Sequence, residues 1–356
     1  MAGINRREFS RLGGAAALAA LAWRSGIAGA ASSEVADPLQ HVLPELRPAA
    51  RQLLEASRMM PPFNDQTISV VRAGGPPQLP LLANVPIRTQ QVPVGKGMPD
   101  VTVYVINARA GEQRPAILHT HGGGFVLGSA KQELRRLQEI ALELDCVVVT
   151  VEYRLAPETR YFGSVEDNYA GLRWMHANAL ELGIDRSRIA LMGESAGGGH
   201  AALLAIAARD RGEVPVILQV LVYPMLDDRT GNSRPVPPFI GTILWTAASN
   251  RYGWKSFLGK EPGGADIPAA GVPARTRDLS GLAPAFVAVG GLDLFVGEDI
   301  EYARRLTEAG VATELLVVPG AFHAFDGLAA ETDVAKRFSQ AKMNALRRAF
   351  RQPSLS

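Results

Sequence analysis

The sequence predicts an α/β protein with a mostly parallel central sheet, helices on both faces and a small helical cap. Three observations carry this prediction. From about residue 100, short apolar runs alternate with amphipathic helical patterns. Glycine-rich turns follow several of the apolar runs. The length of 356 residues and the hydrophobic content of 47% suit one large core with a small cap.

The predicted strands are short apolar runs that are long enough for a buried sheet and too short for helices. They lie at residues 116–120, 147–151, 188–192, 285–289 and 314–318. The predicted helices show apolar residues at helical spacing or a continuous apolar stretch. They lie at residues 131–144, 201–208, 297–309 and 333–351. Because strands and helices alternate, most neighbouring strands are expected to run parallel.

The sharpest motif is Gly193-Glu194-Ser195-Ala196-Gly197, which fits G-x-S-x-G. In this motif a tight turn between a strand and a helix lifts a serine hydroxyl above a sheet. Glycines are needed because a Cβ at either position would collide with the neighbouring backbone. A predicted strand precedes the motif and a predicted helix follows it, so Ser195 is the predicted nucleophile.

A glycine triplet follows the first predicted strand, in His121-Gly122-Gly123-Gly124. Without side chains, its backbone N–H groups can face a cavity and bind a developing oxyanion, together with the N–H of Ala196. Alone, the triplet also fits a plain glycine-rich turn. Its pairing with the serine motif favours the oxyanion hole.

Two further residues complete a Ser–Asp–His arrangement in the chain order Ser, Asp, His. Asp293 follows the predicted strand at 285–289, and His323 follows the predicted strand at 314–318. Catalytic groups gather where parallel strands end. His323 would accept the proton of Ser195, and Asp293 would orient the imidazole and stabilise the imidazolium.

Other polar residues near these motifs receive structural interpretations. Glu298 and Asp299 fall in the first turn of a predicted helix and are expected to be solvated. Glu194 is interpreted as a carboxylate that supports the serine turn. His119 and His200 are interpreted as buried packing residues, because each lies in an apolar element.

These motifs, together with Tyr-Arg-Leu-Ala-Pro-Glu at residues 153–158, resemble the hormone-sensitive-lipase-like esterases, the HGGG family of α/β-hydrolases. The resemblance covers roughly residues 85–350. Two departures are visible: Glu194 stands where the family commonly has Asp, and Asp293-Leu294-Phe295 stands where Asp-Pro-Leu is common.

The resemblance implies an α/β-hydrolase fold with a triad of Ser195, Asp293 and His323. It implies an oxyanion hole made by Ala196 and two of the three glycines, and a bracing role for residues 153–158. The implied activity is hydrolysis of short to medium acyl esters. A lactonase, amidase or arylformamidase would use the same triad, and a non-catalytic small-molecule binding protein is the remaining alternative.

The predicted organisation has three parts. Residues 1–30 are a signal peptide, residues 31–84 are an N-terminal cap or lead-in segment, and residues 85–352 are the catalytic domain. A cap insertion is expected at about residues 227–278, which is rich in Pro, Gly and aromatic residues. Its aromatic side chains are expected to form a wall of the acyl pocket or to pack the cap.

The N-terminus resembles a twin-arginine signal, with Arg6 and Arg7 ahead of an apolar stretch at residues 12–22 and an A-x-A-like site at 28–30. The apolar stretch is short for a membrane span, so cleavage is expected, with no stable membrane anchor afterwards. The expected location is periplasmic or secreted. The single cysteine, Cys146, is expected to be an inert core residue.

Charge and motifs limit the partners. The chain carries a net charge of +2, and residues 1–30 hold four Arg and one Glu, so the remainder is close to neutral. Nucleic-acid binding is therefore not expected. No metal-ligand spacing or nucleotide-binding loop stands out, so neither a metal nor another cofactor is predicted. The expected partner is a small-molecule ester, and the oligomeric state stays open, with a dimer as one option.

Overall fold

The computed structural model describes Asp37 and residues 39–74, 78–95 and 97–351. By the density of contacts the chain divides into two units, Met1–Gln40 and His41–Ser356. In the first unit, the N–H of Leu39 donates to the Asp37 carboxylate at 3.0 Å. The predicted signal peptide lies outside the described residues. All elements below belong to the second unit.

One sheet of eight strands organises the described part of this unit. Its strands are β1 (Ile87–Val92), β2 (Val101–Ile106), β3 (Arg114–Thr120), β4 (Val147–Glu152), β5 (Ile184–Glu194), β6 (Leu218–Val222), β7 (Ala285–Gly290) and β8 (Thr313–Val318). Their order is β1-β2-β4-β3-β5-β6-β7-β8. The β1–β2 and β2–β4 pairs are antiparallel, and the other pairs are parallel. The predicted mostly parallel sheet is therefore confirmed.

Two helices precede the sheet, and from β3 onward helices alternate with strands. In chain order the helices are α1 (Arg47–Met59), α2 (Ile68–Ala73), α3 (Ala130–Glu143), α4 (Tyr161–Ala177), α5 (Ala179–Leu182), α6 (Ala196–Arg211), α7 (Ala247–Leu258), α8 (Val296–Glu308), α9 (Phe325–Leu328) and α10 (Asp333–Arg351). Short 3₁₀ turns lie at Pro44–Leu46, Ala269–Gly271 and Pro273–Arg275. α3 packs on β2 and β4, α6 on β5 and β6, and α8 on β7 and β8.

Local sequence explains where these helices begin and end. Ser129 precedes α3, and its hydroxyl accepts the N–H of Gln132 at 3.3 Å. Thr246 caps α7 in the same way through the N–H of Ser249. Such caps satisfy N–H groups that have no partner within the helix. α6 ends at Gly212, whose φ of 65° suits glycine because it has no Cβ.

The core lies on both faces of the sheet. Every residue of β3 is buried, including the neighbours Ile117 and Leu118, which are 0% and 1% exposed. Successive side chains of a strand point to opposite faces, so both faces of β3 are covered. This burial fixes the strand ends, from which the loops of the candidate site emerge.

The predicted cap insertion at residues 227–278 contains α7 and two 3₁₀ turns. Together with α2, it packs over the loop that follows β3. The shared apolar cluster contains Phe125 of that loop, Ile68 of α2 and, from the insertion, Trp245, Trp254 and Phe257. Trp254 is 0% exposed, so this side chain lies in the interior of the cluster.

Candidate active site

The turn between β5 and α6 holds Ser195 in a strained conformation. Its φ is 58° and its ψ is −123°, a combination that non-glycine residues rarely adopt. Two backbone hydrogen bonds hold the turn: the Ser195 N–H donates to Val222 O at 2.9 Å, and the Met225 N–H donates to Ser195 O at 3.0 Å. The structure therefore places the predicted nucleophile at the predicted strand-to-helix turn.

The two glycines of the motif are required by close backbone approaches. A Cβ on Gly193 would lie 2.3 Å from Gly197 O, and a Cβ on Gly197 would lie 2.0 Å from Thr120 O. Real Cβ atoms do not come this close to a carbonyl oxygen. The motif thus brings the end of β3 and the start of α6 together beneath Ser195.

Ser195, His323 and Asp293 form one hydrogen-bonded relay. His323 Nε2 lies 3.0 Å from Ser195 Oγ, and His323 Nδ1 lies 2.7 Å from Asp293 Oδ2. Asp293 is 0% exposed, and its other oxygen, Oδ1, accepts the N–H of Phe295 at 3.0 Å. In this geometry Nδ1 donates to Asp293, and Nε2 is free to accept the serine proton.

The ring of His323 is also fixed from its sides. Tyr223 contacts it with ring centroids 4.8 Å apart and planes at 63°, and Phe295 does so at 5.3 Å and 85°. Tyr223 follows β6, and Phe295 follows β7. The imidazole is therefore held by packing as well as by hydrogen bonds, so it needs little reorganisation before proton transfer.

The glycine triplet lies directly beside the nucleophile. A Cβ on Gly122 would lie 3.5 Å from Ser195 Cβ. Gly123 and Gly124 have φ values of 123° and 59°. Within the described residues, no backbone hydrogen bond uses the N–H groups of this triplet. Ala196, as the first residue of α6, has an N–H without an intrahelical acceptor. These N–H groups can therefore donate to an oxyanion.

Residues after β4 bind the segment on either side of the triplet, in the bracing role that the family resemblance implies. The Tyr153 hydroxyl donates to His121 O at 2.6 Å, and the Ala156 N–H donates to Phe125 O at 3.0 Å. The rings of Tyr153 and His121 stack at 4.1 Å. Burial lowers the pKa of His121 to about 3, so this imidazole stays neutral while its Nδ1 lies 2.8 Å from Gly122 O.

His119 and His200 lie where packing residues would lie. His119 is 1% exposed, with Nδ1 at 2.9 Å from Thr150 Oγ1 and Nε2 at 2.8 Å from Glu194 Oε2. His200 is surrounded by the rings of Phe125 and Tyr153, among others, and burial lowers its pKa to about 3. Neither contacts Ser195 through a hydrogen bond.

Four charged side chains, including that of the residue that precedes Ser195, lie close together, and this cluster was not predicted from the sequence. They are Arg136 of α3, Glu194, Asp326 of α9 and Lys342 of α10, here called the charge cluster. Burial raises the pKa of the Glu194 carboxyl, but the nearby His119 and Arg136 reverse this and hold it below its usual range. The only local signal is the position of Glu194 next to Ser195 and of Asp326 shortly after His323.

The prediction that Glu298 and Asp299 are solvated is wrong. They do lie in the first turn of α8, but they are 2% and 0% exposed. Glu298 Oε1 accepts the N–H groups of Leu226 and Asp227 at 2.6 and 3.1 Å. The helix turns its first residues toward the segment that follows β6, so they face the interior.

Asp299 provides a pH-dependent test of this burial. Burial, with repulsion from Glu298 and Asp293, raises its pKa well above the ordinary value. Since the folded state then binds the proton more tightly than the unfolded state, stability falls as pH rises above the unfolded pKa of about 3.9. Asp299→Asn is expected to raise the free energy of unfolding at pH 8 by about 1 kcal/mol or more, and by less at pH 5.

Urea unfolding followed by tryptophan fluorescence at both pH values measures this difference. Asp210→Asn on α6 is the control, because the Asp210 side chain is 56% exposed. An Asp299→Asn effect of the same size at pH 5 and pH 8 would contradict the assignment.

Cys146 is buried and unpaired, and burial raises the pKa of its thiol to about 12. An inert thiol is consistent with the core position that the sequence predicts. Among the described residues, no group of His, Cys, Asp and Glu has the arrangement of a metal site. In the same part of the chain, no helix has the length and apolar character that crossing a membrane requires.

The cap places an aromatic wall against the glycine triplet. A Cβ on Gly124 would lie 2.0 Å from the Trp245 ring, so the indole lies directly on the triplet. The Phe63 ring contacts Trp245 with centroids 5.8 Å apart. Asn250 Oδ1 accepts the indole N–H at 3.3 Å and fixes the ring. The space beside the oxyanion donors is therefore bounded by large apolar rings.

Comparisons with known proteins agree with this geometry. Residues 117–327 match the family described as alpha/beta hydrolase fold. Esterase LipI of Mycobacterium tuberculosis is 35% identical over 239 residues, which cover 66% of this chain and 73% of LipI. Carboxylesterase NlhH of the same species is 34% identical over 272 residues, which cover 74% of this chain and 83% of NlhH.

Solved structures give the same result. A structure described as a bacterial heroin esterase matches with a TM-score of 0.76 at 37% identity, covering 89% of this chain and 100% of that chain. A hyperthermophilic esterase from Pyrobaculum calidifontis matches with a TM-score of 0.73 at 29% identity, covering 86% of this chain and 98% of that chain. All four of these proteins are named as esterases.

Proposed function

The chain belongs to the alpha/beta hydrolase fold family, and from this premise we propose that it is a serine carboxylesterase that cleaves short to medium acyl esters through an acyl-enzyme on Ser195. The observation that carries the proposal is the continuous relay from Asp293 through His323 to Ser195, at 2.7 and 3.0 Å. It lies beside backbone N–H groups of the glycine triplet that bond to no backbone acceptor among the described residues.

Acylation uses these groups in order. Ser195 Oγ attacks the ester carbonyl carbon while His323 Nε2 takes the hydroxyl proton, and Asp293 stabilises the imidazolium. The N–H groups of Ala196 and of two glycines among residues 122–124 stabilise the oxyanion, each worth about 2.7–4 kcal/mol. The tetrahedral intermediate collapses when His323 returns the proton to the leaving alcohol.

Deacylation repeats the same steps with water. His323 removes a proton from the water molecule as its oxygen attacks the acyl carbon, and the oxyanion forms again at the same N–H groups. Collapse releases the carboxylic acid and returns the proton to Ser195 Oγ. His323 is neutral again and Asp293 is still a carboxylate after the cycle, so the enzyme is regenerated.

The aromatic wall supports the limit on acyl length. Trp245 lies on Gly124, and Phe63 lies on Trp245, so large side chains occupy space next to the reacting carbonyl. The Asn250 side chain accepts the indole N–H and helps to hold the Trp245 ring in this place. A bounded apolar site suits short to medium acyl groups better than long ones.

Hydrolysis of p-nitrophenyl esters from C2 to C16 tests this substrate range. We expect kcat/KM to peak between about C2 and C8 and to fall at least tenfold by C16, since one misfit methylene costs about 1–3 kcal/mol. The Ser195→Ala variant is the blank at each length. A maximum at C12 or longer would contradict the proposed substrate range, and Ser195-dependent cleavage of an amide or lactone alone would replace ester hydrolysis as the activity.

We also propose that the enzyme is exported to the periplasm or secreted. The support is the twin-arginine pattern at Arg6 and Arg7, the apolar stretch at 12–22 and the small residues at 28–30. Export of a folded esterase fits a fold without disulfides, in which Cys146 is the only cysteine of the chain.

Replacing both Arg6 and Arg7 with Lys is expected to keep the full-length enzyme in the cytoplasm of a host with twin-arginine export. Cell fractionation with esterase assay measures the distribution, and intact mass spectrometry locates the cleavage point. Arg11→Lys is the matched control in the same segment and should still be exported. Equal export of the double variant would contradict the twin-arginine assignment.

A further inference from the structure

We propose that Arg136 is a positioning residue for ester hydrolysis. Its guanidinium contacts Glu194, the carboxylate next to the nucleophile, and Asp326, the carboxylate that binds the hydroxyl of the tyrosine packed on the general base. The inference rests on the proposed function and adds a residue to it. Arg136 lies on α3, far in sequence from Ser195, Asp293 and His323.

The first half of the link reaches the nucleophile. Arg136 Nη2 lies 3.7 Å from Glu194 Oε1, and Glu194 immediately precedes Ser195. Glu194 Oε2 accepts the Nε2–H of His119 at 2.8 Å, and Lys342 Nζ lies 3.9 Å from Oε1. The Glu194 side chain is only 9% exposed, so its position depends on these partners rather than on water.

The second half of the link reaches the base. Arg136 Nη2 donates to Asp326 Oδ2 at 3.1 Å, and the Tyr223 hydroxyl donates to Asp326 Oδ1 at 2.8 Å. The Tyr223 ring lies against the His323 imidazole, with centroids 4.8 Å apart. Asp326 is therefore held between the guanidinium of Arg136 and the hydroxyl of Tyr223. Its position determines where the Tyr223 ring packs against His323.

Within the charge cluster, the Arg136 guanidinium contacts both carboxylates. Two carboxylates, Glu194 and Asp326, face two cations, Arg136 and Lys342. The Asp326 side chain is 1% exposed and that of Lys342 is 3% exposed. Removing Arg136 takes away the hydrogen-bonded cation of Asp326 and leaves Glu194 with Lys342 at 3.9 Å. Buried charges that lose a partner shift or draw in water.

No member of the charge cluster hydrogen-bonds to Ser195 Oγ or to the ring nitrogens of His323 among the described residues. The expected effect of Arg136 is therefore on the alignment of Ser195 and His323 and not on the binding of substrate. Misalignment by a fraction of an ångström lowers the rate of the chemical steps while leaving ground-state binding largely unchanged.

The test compares Arg136→Met with Arg135→Met, a neighbouring arginine of α3 that pairs with Glu139 and donates to Pro80 O, away from the charge cluster. The substrate is p-nitrophenyl acetate. Active sites are counted by titration with diethyl p-nitrophenyl phosphate, so that misfolded protein does not enter kcat. We expect Arg136→Met to lower kcat per titrated site about tenfold or more with KM within about twofold, and Arg135→Met to leave both within about twofold.

Tyr223→Phe provides a second, gentler variant. It removes one hydroxyl and keeps the ring against His323. We expect it to lower kcat per site by a smaller factor than Arg136→Met. Both changes break the same connection, which runs from Arg136 through Asp326 to Tyr223. The double variant should therefore be no slower than Arg136→Met alone. Tyr223→Phe decides the question by itself if Arg136→Met fails to fold.

The inference is overturned if Arg136→Met and Tyr223→Phe both keep kcat per titrated site within twofold of Arg135→Met. An additive double variant would also overturn the link, because it would show two independent effects. Wild-type turnover that does not depend on Ser195 would instead refute the proposed function itself. The two failures are therefore distinguishable in one set of assays.

Discussion

Replacing Ser195 with Ala is expected to lower kcat for p-nitrophenyl acetate by about 10⁴- to 10⁶-fold while the protein stays folded. The acyl-enzyme needs the Oγ that attacks the carbonyl, and within the relay only Ser195 supplies a hydroxyl to His323 Nε2, at 3.0 Å. The strained turn persists in the variant, because its two backbone hydrogen bonds involve main-chain atoms of residue 195. Binding and the oxyanion donors remain, so the residual rate should still exceed that in water.

The measurement combines kinetics with labelling. Wild-type enzyme should take up one fluorophosphonate group, which a peptide map should locate on Ser195, and the variant should take up none. Thermal unfolding shows whether the two proteins are equally folded. Retention of more than about a tenth of wild-type kcat in a folded, unlabelled variant would show that the nucleophile lies elsewhere.

Asp293→Asn is expected to lower kcat about 10⁴-fold, through the tautomer of His323 and not through loss of structure. The Phe295 N–H donates to the Asp293 Oδ1 position at 3.0 Å, so the amide oxygen of an asparagine would take that position. Its NH₂ group would then face His323 Nδ1, which must become the acceptor. The ring proton moves to Nε2 and points at Ser195, and His323 can no longer accept the serine proton.

Asp299→Asn is the matched control for this variant. It makes the same chemical change at another fully buried aspartate, six positions along the chain. Asp299 has no hydrogen bond to His323, so its variant should keep kcat within about twofold while it changes stability. Loss of activity in both variants to the same degree would indicate a general effect of buried charge, and the tautomer argument would be abandoned.

The triad and the glycine triplet were accessible from sequence because each residue follows an apolar run. The carboxyl ends of parallel strands meet at one edge of the sheet, so Ser195, Asp293 and His323 had to come close together. The alternation of helices and strands predicted the parallel part of the sheet for the same reason. Three strands, β1, β2 and β6, were not predicted. β1 and β2 join the sheet antiparallel without a helix between them, and β1 is mostly exposed.

The charge cluster was not predictable from local patterns. Arg136, Asp326 and Lys342 lie on three helices, and only the packing of those helices brings them beside Glu194. The misjudged burial of Glu298 has a related cause. A carboxylate in a first helical turn is usually solvated, but the backbone N–H groups after β6 provide a buried alternative that no local rule reveals.

The contacts of the glycine triplet bear on how substrate range could evolve in this enzyme. A Cβ on Gly123 would lie 2.1 Å from Leu127 O and one on Gly122 would lie 3.0 Å from Glu194 O, both main-chain atoms, whereas a Cβ on Gly124 would lie 2.0 Å from the side chain of Trp245. Main-chain obstacles cannot be removed by substitution, but the indole can. Directed evolution toward bulkier esters should therefore accumulate changes in the cap while the triplet is inherited unchanged. Substitutions in the cap would then change which esters are accepted, while the residues that carry out the reaction stay the same.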